Sequence, residues 1–128
     1  MAVAERTPTT HLRLMRILDV DQVAASDAAL HTAHLIAGER VHALFVASTG
    51  AILFTERRIL IVQREHLLEE RLETSSFPYR EVRHFSIQEG GRTALRIWLG
   101  ADPQPLHLRA NSGTSFADLQ QLLAERLA

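Results

Sequence analysis

Two histidines three residues apart on a helix can grip one metal ion. His31 and His34 have that spacing, with Asp27 four residues before the first. A zinc site still needs a third strong ligand, which the sequence does not indicate, and the HExxH pattern of metalloproteases is absent. A solvated helix face accounts for these residues better, and no metal ligand is assigned. Ser112-Gly113-Thr114-Ser115 offers hydroxyls but lacks a nucleophile-elbow pattern, and it reads as the loop and cap before a helix. Glu69-Glu70 pairs two carboxylates at a turn or strand edge facing water, whereas acid–base chemistry needs them in a pocket. No catalytic residue is assigned, and the chain is not read as an enzyme.

Composition removes further chemistries. There is no cysteine, so disulfides, thiolate metal sites and cysteine nucleophiles are excluded. All 14 basic residues are arginine, which excludes Schiff-base lysines and a P-loop lysine. No cofactor is implied. The formal net charge is −1, with both signs mixed along the chain. Nucleic-acid binding needs a basic excess gathered on one face, so no nucleic-acid partner is expected. Met1 to Thr10 has no apolar leader pattern, and no apolar run approaches the ~18 residues that span a bilayer. A cytoplasmic location is expected.

The residues most suited to a contact are Arg96 and Trp98. In Thr93–Leu99 they alternate with Leu95, Ile97 and Leu99. If the aliphatic set faces a core, Arg96 and Trp98 face out, and both types are enriched at interfaces. The alternative is that a helix of the same chain covers Trp98. Leu67 and Leu68, at the tip of an expected hairpin, are a second candidate contact. They are also the residues that would insert if the domain were instead a peripheral membrane or lipid-binding module.

The elements that must hold these residues are mostly strands. Residues 1–10 read as a flexible tail, and 11–128 as one domain with a core of ordinary size. Val20, Val23, Leu30 and Ala33 or Ala37 recur at helical spacing and Gly38 supplies a stop, so the pattern predicts a helix over about 19–37. Leu12–Leu18 alternates enough to be extended instead. Seven strands follow between about 41 and 110: Val41–Ala47, Ala51–Thr55, Arg58–Arg64, Arg71–Phe77, Val82–Glu89, Thr93–Leu99 and Pro105–Ala110. The last three alternate strictly, as antiparallel strands with one wet face do. Gly90-Gly91 and Asp102-Pro103 mark turns. Phe116, Leu119, Leu122, Leu123 and Leu127 form one stripe of an amphipathic helix over about 115–127, with Ser115 and Asp118 in capping-box positions.

The run Leu53-Phe54-Thr55-Glu56-Arg57-Arg58-Ile59-Leu60-Ile61-Val62 resembles the "LFTNRRLIIVD" hairpin of the bacterial pleckstrin-homology-like family. Ser76-Phe77-Pro78-Tyr79-Arg80-Glu81-Val82-Arg83-His84-Phe85-Ser86-Ile87 is similar to its "SIPYxxITxFSVE" segment. Leu95-Arg96-Ile97-Trp98-Leu99 resembles "LKIWIS", and the last helix resembles "IxxLQKLLAE". The family's "GxFDxDxE" loop is reduced here to Glu89-Gly90-Gly91-Arg92, and its lysine-rich loop between strands three and four is replaced by Glu65-His66-Leu67-Leu68-Glu69. The resemblance implies a mainly β, seven-stranded antiparallel, partly open barrel of two near-orthogonal sheets, with an N-terminal helix and a C-terminal capping helix. It also implies a cytoplasmic module that tends to form homo-oligomeric rings, and the favoured reading is a non-catalytic module that acts through protein contacts, self-association included. Eukaryotic pleckstrin-homology domains hold phosphoinositides with cations on the loop between the first two strands. Here that loop is the short, uncharged Ser48-Thr49-Gly50, so membrane lipid is not the expected ligand.

Overall fold

In a computed structural model, residues 17–65 and 71–127 are described here. The first described element is a strand, β1 (Ile17–Val23), followed by a 3-10 turn at Ala25–Leu30. Seven more strands follow: β2 (Val41–Ala47), β3 (Gly50–Thr55), β4 (Arg58–Glu65), β5 (Arg71–Pro78), β6 (Val82–Gln88), β7 (Ala94–Leu99) and β8 (Leu106–Ala110). A short 3-10 turn, Tyr79–Glu81, links β5 to β6, and helix α1 (Ala117–Leu127) ends the described chain.

The strands form one curled eight-stranded sheet in the order β5-β4-β3-β2-β1-β8-β7-β6. Among the described strands, the consecutive β5 and β6 stand at its two ends, so the sheet curls into a partly open barrel. Every pairing is antiparallel except β1 with β8, where Ile17 stands opposite His107 and Val20 opposite Ala110. The mainly β, partly open barrel with a C-terminal capping helix is the architecture expected.

The helix expected over 19–37 is corrected. Leu18 and Val20 are buried while Ile17, Asp19 and Asp21 are exposed, a period of two. That strand fills the gap between β2 and β8, and the backbone bonds it makes to both outweigh the helix propensity of the alanines that follow. Those alanines yield only the six-residue 3-10 turn. The seven strands expected between 41 and 110 correspond to β2–β8.

β3 and β4 are buried on both faces, which explains why they read as continuous apolar runs rather than alternating ones. Phe45, Ile52, Phe54, Ile59 and Ile61 point into the barrel and meet Leu95, Ile97, Leu108, Phe116, Leu119 and Leu123. On the other side, Leu44, Ala51, Leu53, Leu60 and Val62 are roofed by Ala28 and Leu35 from the segment between β1 and β2. Phe85 is half-buried because β6 is the last described strand on its side of the sheet.

That roofing strap is pinned at its end. The Glu39 carboxylate, without solvent contact, accepts bonds from Arg58 Nε (2.9 Å) and Nη2 (2.9 Å), the Thr55 hydroxyl (2.7 Å) and the Ile36 N–H (3.0 Å). Arg58 also donates to the His34 carbonyl at 2.8 Å. The Tyr79 hydroxyl donates to the Thr55 carbonyl, which satisfies the phenol of a ring buried at the β5–β6 corner. Burial pushes the Tyr79 hydroxyl well above its ordinary pKa, so it stays a donor.

The turns carry two special glycine requirements. Gly90 and Gly91 both have positive φ (87° and 91°), within a Glu89–Thr93 connection longer than the two-residue turn expected. At Gly50 a Cβ would lie 2.0 Å from the Val62 carbonyl oxygen, so β3 can approach β4 there only without a side chain. At the other end, the Ser115 hydroxyl accepts the Ala117 N–H at 3.1 Å and starts α1.

Candidate functional site

The alternation that buries Leu95, Ile97, Leu99, Leu106 and Leu108 turns Arg96, Trp98, His107 and Arg109 onto the outer face of β6–β7–β8. Register brings them together. Ser86, Arg96 and His107 stand opposite one another across the three strands, while His84 stands opposite Trp98. Ala94 stands opposite both Gln88 and Arg109, and Arg109 stands opposite Asp19 of β1. The result is a half-buried polar surface with small residues, Ser86 and Ala94, between its long side chains.

Trp98 is half-buried and its ring lies 4.9 Å from that of His84, with the planes at 50°. The strap between β1 and β2 packs on the opposite sheet, so the expected alternative, a covering helix over 19–37, does not form. Arg96 donates from Nη1 to Gln88 Oε1 at 3.0 Å and has no acidic partner among the described residues. Arg92 Nη2 and Arg109 Nε share one carboxylate oxygen, Asp19 Oδ1, at 3.2 and 2.8 Å. The Arg109 contact is an ion pair without an aligned hydrogen bond. Arg92 is also tied to Ala110 O (3.1 Å) and Asn111 Oδ1 (2.8 Å).

His107 Nε2 is sealed from solvent and has no hydrogen-bond partner among the described residues. Burial, then the positive charges of Arg96 and Arg109, hold the His107 pKa below its ordinary value, so the ring is neutral at neutral pH. Removing one charge should relax this. In Arg96→Ala the His107 titration, followed by NMR of the ring protons, is expected at higher pH than in the native protein. An unchanged midpoint would show that Arg96 does not act on this ring.

The other candidate residues fare differently. Leu67 and Leu68 lie outside the described residues, as do Glu69 and Glu70. His31 and His34 follow the 3-10 turn instead of sharing a helix face, which removes the geometric reason for reading them as a pair of ligands. Among the described residues no three His, Asp or Glu side chains gather into a metal-holding group, and no helix is long and apolar enough to cross a membrane. Beside the short Ser48-Thr49 turn lies an open hollow of about 780 Å³ lined by Asp19, Asp21 and Asn111. No arginine is among the described residues that line it, so it lacks the cations that hold a phosphorylated head group.

Sequence reasoning placed Arg96 and Trp98 on one face. It missed the convergence of Arg92, Arg109 and Asp19, because β1 was read as helix. It also missed the Glu39–Arg58 clamp, which joins residues 19 apart through an irregular segment with no periodic signal.

Residues 11–127 match the family model described as the bacterial PH domain. A curated relative, the uncharacterized protein YjqA of Bacillus subtilis (strain 168), is 30% identical over 95 residues, spanning 70% of this chain and 76% of its own. Among solved structures, a DUF1696 family protein with a pleckstrin-homology domain from Shewanella loihica PV-4 superposes with a TM-score of 0.71 at 17% identity. The match covers 86% of this chain and 98% of that one. A PH domain-containing bacterial protein from Exiguobacterium sibiricum 255-15 gives 0.67 at 16% identity, covering 84% of this chain and 62% of that one. The structural likenesses show a shared fold, and the family model spans nearly the whole sequence. The chain belongs to the bacterial PH domain family.

Proposed function

We propose that the protein is a non-catalytic binding and scaffolding module that works in the cytoplasm through protein contacts, including contacts between its own copies. The observation that carries this reading is the outer face of β6–β7–β8. There a half-exposed tryptophan stands beside Arg96, which meets no carboxylate among the described residues, and both residue types anchor interfaces. The open seam adds support, since β6 is the last of the described strands on its side of the sheet, and such an edge is one on which another chain can build. A head-to-tail contact through two different patches closes into a ring when the rotation allows.

Light scattering tests the proposal. The native protein at tens of micromolar is expected to exceed the monomer mass of 14.4 kDa. Trp98→Ala, which removes a contact worth roughly 2 kcal/mol if Trp98 is an anchor, is expected to shift the mass toward monomer. A native monomer would refute self-association. A Trp98→Ala variant that assembles as the native protein does would remove this face from it.

A further inference from the structure

We propose that the outer face of β6–β7–β8 receives an acidic, extended segment of a partner protein, with carboxylates on Arg96 and Arg109 and an apolar side chain against Trp98. This rests on the reading of that face as a contact surface and adds the chemistry of what it contacts.

Charge is the first argument. Of the three guanidiniums on this side, Arg92 and Arg109 share the one carboxylate of Asp19 and Arg96 pairs with no acid among the described residues, although the chain as a whole carries a formal charge of −1. The other nearby acids, Asp21 on β1, Glu81 before β6, and Glu89 and Asp102 in the connections at opposite ends of β7, form no ion pair with the three among the described residues. Arg96 has only the Gln88 amide oxygen, and most of its donors remain free for an incoming carboxylate. The positive charge is thus local, and an anionic partner is what complements it.

Spacing is the second argument. Trp98 and Arg96 are two residues apart on β7, and Arg109 lies one row further along on β8. At about 3.3 Å per residue, the distance from the Trp98 row to the Arg109 row is roughly 13 Å. One small anion cannot span that, while four or five residues of extended chain do. Ser86, small and half-buried, stands opposite Arg96 and adds no bulk there. A membrane is a poorer fit, because this face offers one aromatic side chain, half-buried, where interfacial insertion uses several projecting apolar groups.

Trp98 is the sole tryptophan, so intrinsic fluorescence reports directly on this surface. The full chain is titrated with an N-acetylated, C-amidated peptide Phe-Ser-Glu-Ser-Glu-Glu. A peptide with glutamine for each glutamate serves as control, and vesicles containing phosphatidylserine are titrated separately. The acidic peptide is expected to give a saturable change that weakens several-fold from ~50 to ~500 mM salt. Arg96→Gln, whose native side chain makes one surface hydrogen bond, should keep the fold by circular dichroism and bind about tenfold more weakly. Equal binding of the glutamine peptide, no response to either peptide, or a response to vesicles alone would each overturn the proposal. Light scattering on the same samples separates the two readings. Assembly that Trp98→Ala disperses, without peptide binding, leaves self-association standing and removes the acidic segment. Peptide binding by a native monomer does the reverse.

Discussion

Phe116→Ala is expected to lower the free energy of unfolding by about 3–5 kcal/mol, the range for deleting a buried phenylalanine. Phe116 is 1% exposed and precedes the first turn of α1. Its ring lies 5.2 Å from that of Phe45, which in turn meets Phe54 edge-on at 6.0 Å. The three rings join the capping helix to β2 and β3, so truncation leaves a void at the place where the helix is fastened. Neither neighbour can swing in without leaving its own packed position. Denaturant unfolding followed by circular dichroism measures the loss. A change below about 1 kcal/mol would mean that α1 contributes little to closing the barrel, against the burial of Phe116, Leu119 and Leu123.

Glu39→Ala should have the next largest effect, about 2–4 kcal/mol. Breaking a buried pair strands the remaining charge, and Arg58, with 18% of its side chain exposed, recovers part of its hydration. The same carboxylate makes stability depend on acid. Its hydrogen bonds from Arg58, helped by the Ile36 N–H and the Thr55 hydroxyl and opposed by burial, hold its pKa down to about 2 from an ordinary 4.5. A lowered folded-state pKa gives stability that is full above about pH 4.5 and lost as pH falls toward 2. At about 1.4 kcal/mol per unit, the loss is up to about 3 kcal/mol. Because Glu39 lies close beneath the surface, that figure is an upper bound. Urea unfolding at pH 6 and pH 3 for native protein and Glu39→Gln measures it. The variant should lose less stability on acidification, and equal losses would assign the acid sensitivity to other carboxylates.

Much of the architecture was legible because its signals are local. Alternation in Thr93–Leu99 and Pro105–Ala110 reports the two faces of β7 and β8 directly, and the Phe116–Leu127 stripe reports α1. β1 was not legible. Its alternation covers only a few residues and runs into an alanine-rich stretch, and what makes it a strand is the pair of edges waiting on either side. The candidate face was half legible for the same reason. That Arg96 and Trp98 point together follows from one strand, whereas the meeting of Asp19, Arg92 and Arg109 depends on the register between β1 and β8. The Glu39 clamp belongs to irregular backbone, where side-chain pairing leaves no periodic trace.

The position of β1 has a consequence for how the chain finds its fold. β2–β5 and β6–β8 are two runs of sequence neighbours that can zip by short hairpins. β1 is the strand that joins them, and it does so by pairing residues near the start of the chain with residues about 90 positions later. The Thr114 hydroxyl accepts the Gln22 N–H at 3.0 Å, and the Asn111 N–H donates to the Val20 carbonyl at 2.9 Å, fixing the same join. Loop entropy must be lost before those contacts return anything, so this closure sets a high share of the folding barrier. Until it happens the half-sheets are joined by the Tyr79–Glu81 turn and by side-chain packing, the facing edges of β2 and β8 still wait for β1, and two copies that have both reached that stage can exchange their first strands.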